Sequence, residues 1–102
     1  MQAGAHLTIP WPSPAYLRAH YHKHGARLGV RTEQDYDLSA RATIRVGTRL
    51  LYTLKGEDRV GYFWQTSRRF TALSDDEQLL LSHFRATENY VRHLSNLIYP
   101  AP

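Results

Sequence analysis

Three histidines fall within five residues, His20-Tyr21-His22-Lys23-His24, followed at once by Gly25. In a helix His20 and His24 lie one turn apart and share a face. Histidine is the side chain whose ordinary pKa puts proton exchange near neutral pH. Two imidazoles beside a lysine supply a proton acceptor, a proton donor and a cation, the set that opens a phosphodiester without a metal. Plainer roles exist for the same residues: His24 hydrogen-bonded and half-buried on an apolar stripe, His20 and His22 solvated. Three histidines crowded round a lysine repel one another when charged, which favours a reason for the crowding. His at i and i+4 can also chelate zinc, but the Glu that accompanies such pairs is missing and no third ligand is evident. No metal and no cofactor is therefore expected.

A second candidate is Leu81-Ser82-His83-Phe84-Arg85, at the end of the last strand of a predicted meander. Strict alternation puts Leu80, Ser82 and Phe84 on one side and His83 and Arg85 on the other. A serine hydroxyl can donate to a phosphate oxygen, and Arg85 can grip a phosphate with two prongs. No Gly-x-Ser-x-Gly elbow surrounds Ser82, so it is not read as an acyl-transfer nucleophile. Arg59-Val60-Gly61-Tyr62-Phe63-Trp64 and Arg68-Arg69-Phe70 interleave basic and aromatic residues. Such aromatics can stack bases while arginine holds the backbone. Core packing of Tyr62, Trp64 and Phe70 is the plainer reading, with Arg59 and Arg69 left as surface contacts. Asp75-Asp76-Glu77 reads as a solubilising turn. No Gly-rich phosphate loop or dinucleotide fingerprint occurs.

The balance of charge suits a phosphate partner. Thirteen Lys and Arg against nine Asp and Glu give a formal charge of +4 over 102 residues, and the pI is about 9.7. Eleven of the thirteen are Arg, only Lys23 and Lys55 being Lys; arginine binds phosphate in planar, two-pronged fashion. An Arg-rich codon bias with solvated arginines would give the same count. The length suits one domain, and 42% hydrophobic with 22% charged residues argues against wholesale disorder. No apolar stretch approaches the roughly 20 residues that cross a bilayer, and the first residues lack the basic and apolar segments of a secretory signal. Cysteine is absent, so disulfides and thiolate metal sites are excluded.

The elements that must position these residues follow from period and punctuation. Residues 1–12 read as an arm, because Pro10, Pro12 and Pro14 around Trp11 disfavour regular structure. Ser13-Pro14 is an N-cap followed by a first-turn proline, and a helix is predicted from Pro14 to Arg27. Leu17, Tyr21, His24 and Leu28 form one stripe of it; Tyr16, His20, Lys23 and Arg27 form the adjacent one. Gly29 is placed to stop it. Thr32 opens a second helix with Glu33, Asp35 and Asp37 near its start, an apolar face of Tyr36, Ala40 and Ile44, and an end at Gly47. Leu50–Leu54, Arg59–Trp64, Arg69–Leu73 and Leu79–Arg85 then read as a four-stranded antiparallel meander. A final helix is predicted from Thr87 to Leu97, and residues 98–102 form a tail. The expected class is α+β, a single domain over residues 13–97 with two N-terminal helices on the sheet and a short C-terminal helix.

The order His20-x-x-Lys23-His24-Gly25, Leu28-Gly29, Thr32-x-x-x-Tyr36-x-x-x-Ala40 resembles the opening of C-terminal toxin domains of bacterial contact-dependent and other polymorphic toxin systems. In that family several strands follow and end in a Thr/Ser-x-Phe segment, which Ser82-His83-Phe84-Arg85 resembles, with a Tyr soon after that Tyr90 matches. Ser82 stands where Thr is more usual, the preceding hairpin lacks the usual Gly, and His22 is additional. The family groups with barnase-like, EndoU-like and RelE-like metal-independent ribonucleases; BrnT-type toxins share the Lys-His-Gly segment. The resemblance implies a toxin ribonuclease that cleaves tRNA or other single-stranded RNA by transesterification. It would act in a bacterial cytoplasm, delivered from a neighbouring cell as part of a larger secreted toxin. His20, His24, Lys23, Ser82 and Tyr90 are the expected catalytic residues, and Arg59, Arg85 and His83 the expected RNA and phosphate contacts. The expected partners are the RNA and an acidic immunity protein or antitoxin, with no membrane insertion. Two other classes fit the same residues: a non-catalytic RNA- or protein-binding module with structural histidines, and an assembly protein whose aromatic sheet docks a partner.

Overall fold

A computed structural model describes residues 5–102 of the chain, so the first four residues of the expected arm lie outside it. Helix α1 spans Pro14–Leu28 and α2 spans Glu33–Val46. Strands β1 (Thr48–Leu54), β2 (Glu57–Trp64), β3 (Arg69–Ser74) and β4 (Leu80–Arg85) follow as an antiparallel meander. The chain ends with helix α3 (Glu88–Arg92) and strand β5 (Ser95–Ile98), in the sheet order β4-β3-β2-β1-β5. The class is α+β as expected, but with a fifth strand. The helix predicted to Leu97 stops after Arg92. Beyond it Asn96 takes a left-handed backbone, and the chain turns to pair Ile98 with Leu51. Ala101 extends that edge by donating to the Arg49 carbonyl at 2.8 Å, so the expected tail belongs to the sheet border.

Both long helices begin and end on the predicted signals. The Ser13 hydroxyl accepts from the Tyr16 amide, with Pro14 in the first turn, and Gly29 closes α1 at φ 74°. Thr32 caps α2 by accepting from the Asp35 amide. Tyr36, Ala40 and Ile44 lie in the core beneath α2, together with Val60, Tyr62, Leu73 and Leu80 of the sheet. The proline-rich stretch before α1 is no loose arm. His6, Ile9 and Trp11 are buried. Arg41 donates to the His6 and Ile9 carbonyls at 2.6 and 2.8 Å, and Trp11 Nε1 donates to Asp37 at 2.7 Å. Prolines blocked regular structure there, but side-chain and carbonyl contacts supply the order.

The opposite face of the sheet has its own core. Leu50, Tyr52, Phe63, Phe70 and Ala72 cluster there with Ala86 and Val91. Gly61 sits in the middle of this face. A methyl group on it would meet Phe70 Cζ at 2.5 Å and Leu50 Cδ1 at 3.0 Å. Gly61→Ala is therefore expected to overpack the sheet and lower stability by about 1–3 kcal/mol, read as a lower urea midpoint. An unchanged midpoint would show that Phe70 yields freely.

Candidate nucleic-acid cleavage site

The two faces of the sheet are set by one irregularity in β4. Ala72 pairs with Ser82 and Leu73 with Leu80, so Leu81 is an extra residue, a β-bulge. The bulge puts Leu80 on the helix side with Leu73 and Ser82 on the other with Ala72. The alternation read from sequence had placed Leu80 and Ser82 together; period-two counting has no signal for an inserted residue. The Leu81 carbonyl accepts the Tyr16 hydroxyl at 2.6 Å, which ties the start of α1 to the edge of the sheet.

Helix α1 runs along β4 and presents a row of rings. Tyr16 and His20 stack at 4.2 Å between centroids, and His20 and His24 stand 6.0 Å apart. His24 lies 5.7 Å from the Phe84 ring. From the far side, α3 brings Tyr90 edge-on to Phe84 at 5.6 Å and to Phe70 at 6.3 Å. The floor between carries Tyr52 directly opposite Arg59, and Ser82 two strands away on the same face. His20, His24, Arg59, Ser82 and Tyr90, scattered over the sequence, are thus brought into one neighbourhood by a chain of ring contacts and a shared sheet face, with exposed Lys23 at its edge. Tyr16, Tyr52 and Phe84 complete it. Sequence offered signals for the first two: Tyr16 is one turn before His20, and Tyr52 faces Arg59 across the Lys55-Gly56 hairpin.

Arg59 is the electrostatic centre. Burial raises the pKa of Tyr16, Tyr52 (to about 12) and Tyr90, and the Arg59 guanidinium works against that rise at all three. One cation therefore lies among three phenols. Its Nε is buried and has no hydrogen-bond partner, the sole such side-chain atom among the described residues. Its Nη2 donates to the exposed Glu57 carboxylate at 3.4 Å, a pair of the weak surface kind, and the guanidinium lies within hydrogen-bonding reach of the Tyr52 hydroxyl. A hollow of about 330 Å³, lined by Glu57, Asp58, Arg59, Ser74, Asp75 and Leu81, opens beside it. The Ser82 hydroxyl makes no hydrogen bond within the described chain. A buried charged donor without a partner is costly in a folded protein; a hydrogen-bond acceptor brought to Arg59 would satisfy it, with Glu57, Asp58 and Asp75 setting the negative side of the same hollow.

The imidazoles differ in environment. The pKa of half-buried His24 is lowered, first by desolvation, then by Lys23, His20 and Arg27. It is therefore neutral at pH 7 and can accept a proton. His20 donates from Nδ1 to the Tyr16 carbonyl at 3.0 Å, which leaves Nε2 as its exchanging atom.

Three expected contacts fall elsewhere. His83 is not at the surface but wholly buried, and so cannot contact RNA. Thr71 commits its hydroxyl hydrogen to the Ala40 carbonyl at 3.0 Å. His83 Nδ1 therefore donates to the Phe70 carbonyl at 3.0 Å, and Nε2 accepts from Ser39 at 2.8 Å. Burial drives its pKa down to about 3. Arg69, expected as a surface contact, donates instead to Ser39 and to the Leu28 carbonyl, joining both helices to the sheet. Arg85 is exposed but shares the helix-side register with His83, away from Ser82.

Among the described residues no group of three or more His, Asp or Glu side chains is placed to hold a metal ion, and no helix is long and apolar enough to cross a membrane. No family model matches the chain, and no curated protein or solved structure matches it either.

Two titrations follow. His24 has its folded pKa below the ordinary 6.5, so its base form persists on acidification to below that value. Lys23→Gln removes a cation that depresses it, so its pKa, read by NMR, should rise toward 6.5; an unmoved titration would show the two groups are not coupled. His83 stays neutral in the fold down to about 3, whereas the unfolded chain takes up that proton near 6.5. As pH is lowered from about 6.5 to about 3, stability should therefore drop by about 1.4 kcal/mol for each unit of acidification, and His83→Gln should flatten that slope in urea melts.

Proposed function

We propose that this chain is a metal-independent ribonuclease of the bacterial toxin type, acting on tRNA or other single-stranded RNA. The observation that carries the proposal is the buried, unpartnered Arg59 Nε in the field of Tyr16, the ring that stacks on His20 of the His20–His24 pair. The resemblance of His20-x-x-Lys23-His24-Gly25 and Ser82-x-Phe84 to toxin ribonucleases supports it, as does the ring contact of His24 with Phe84 that joins the two segments.

In this reading a phosphodiester sits over Arg59. His24 takes the proton of the ribose 2′-hydroxyl, and the 2′-oxygen forms a bond to phosphorus. The bond from phosphorus to the 5′-oxygen breaks, and that oxygen takes a proton from His20 Nε2. The products are a 2′,3′-cyclic phosphate and a 5′-hydroxyl. Arg59, the Ser82 hydroxyl and the Tyr90 hydroxyl stabilise the charge that grows on the non-bridging oxygens. Lys23 at the rim adds attraction for the incoming strand and keeps His24 neutral. Phe84 and Tyr90 offer ring faces for a neighbouring base. An acidic immunity protein or antitoxin would complement a chain of formal charge +4, and delivery from a neighbouring cell into a bacterial cytoplasm belongs to the same reading.

Incubation of the purified chain with total RNA in EDTA should give discrete fragments that end in cyclic phosphate. Arg59→Ala should slow cleavage about 10²–10³-fold and His24→Ala about 10²–10⁴-fold, with circular dichroism unchanged. RNA recovered intact from the wild-type chain, or both variants at full rate, would overturn the proposal. Salt-sensitive binding with intact RNA would point to a non-catalytic RNA-binding module.

A further inference from the structure

The unpaired cations of this protein are not spread evenly. Arg18, Arg41, Arg49, Arg59 and Arg92 each face a carboxylate, and Arg69 is consumed by Ser39 and Leu28. Seven cations are exposed with side chains in no ion pair or hydrogen bond among the described residues: Arg31, Arg45, Lys55 and the four Lys23, Arg27, Arg68 and Arg85. The fold brings these four to one end. Lys23 and Arg27 lie one turn apart on α1, both close enough to His24 to depress its pKa. Arg85 follows Phe84, the ring that His24 touches. Arg85 pairs across the strands with Arg69, and the Arg68 carbonyl accepts from Ala86 at 3.0 Å.

The opposite end of the sheet is acidic. The meander puts the β1–β2 and β3–β4 turns together, and these carry Glu57, Asp58, Asp75 and Asp76. A polyanion over the hollow is therefore drawn toward the Arg68 end and repelled from the other. At that favoured end lies a cleft of about 620 Å³ lined by Thr66, Arg68, Thr87 and Asn89. Its one acid, Glu88, is matched by Gln65 at 3.2 Å and Arg92 at 3.3 Å. Hydroxyls, an amide and a free guanidinium are the donor set that holds backbone phosphate without reading bases.

We infer that the surface of Arg68, Arg85 and this cleft is a second, non-catalytic site, which holds backbone phosphates of single-stranded RNA to one side of the cleavage position. It rests on the ribonuclease reading for its biological substrate but not for its test. DNA lacks the 2′-hydroxyl and is not cleaved, so binding can be read without catalysis. The measurement is anisotropy of a labelled single-stranded DNA of roughly ten nucleotides, within the footprint of small single-strand binders, against a dinucleotide, at several salt concentrations.

The longer strand should bind the wild type more tightly. In the Arg68→Gln/Arg85→Gln double variant the slope of log affinity against log salt should fall by about 1.4, or 0.7 per lost phosphate contact, with the dinucleotide unaffected. Lys55→Gln, at the acidic end, should bind as the wild type does. An unchanged slope in the double variant, or an equal loss in Lys55→Gln, would overturn the inference. Failure of the RNA cleavage assay with this binding intact would strike the ribonuclease reading alone.

Discussion

A guanidinium held against an apolar sheet face with one donor unanswered is the constraint on which this structure turns. An arginine in such a place cannot escape by losing its proton. It can only find acceptors, and Arg59 has found one exposed carboxylate and three phenols in its field. Leaving a buried donor unpaired costs roughly 1–3 kcal/mol, a sizeable share of the 5–15 kcal/mol by which domains are stable. Such a cost makes physical sense where the missing acceptor is brought by a ligand, and the ligand proposed here is a phosphodiester.

The remaining architecture holds that arginine and the imidazoles to one another. α2 is fastened to β3 and β4 by a buried polar chain in which Tyr36 donates to the His83 carbonyl at 2.5 Å and Thr71 to the Ala40 carbonyl. With that face filled, α1 lies beside the edge strand, and the bulge at Leu81 turns a carbonyl toward Tyr16. The same bulge turns Ser82 onto the face of Arg59. α3 then returns across that face through Val91 and Tyr90. Helix docking, bulge and return helix are thus three parts of one arrangement.

The legible parts of the fold were those fixed by local rules. Ser13-Pro14, Gly29, Thr32 and Gly47 marked helix ends because caps depend on neighbouring backbone groups. The meander was readable from alternation and turns. The bulge, the fifth strand and the packed N-terminal stretch were not readable, since each is decided by partners far along the chain. The site divides in the same way. His20, His24, Arg59, Ser82 and Tyr90 could be proposed from sequence because their types carry chemistry wherever they stand. His83 has the same chemistry in principle, but a site wholly inside the protein removes it, and residue type says nothing about depth.

The central claim, that Arg59 is an anion site kept open by the fold, is open to a direct reading. The Nε–H of Arg59 can be followed by ¹⁵N NMR while an uncleavable 2′-deoxy dinucleotide is added. The account predicts a saturable shift of that resonance, accompanied by shifts at His24 and Tyr90 with the same midpoint. A resonance that stays still while the ligand binds elsewhere, or that is already hydrogen-bonded in the free protein, would contradict it.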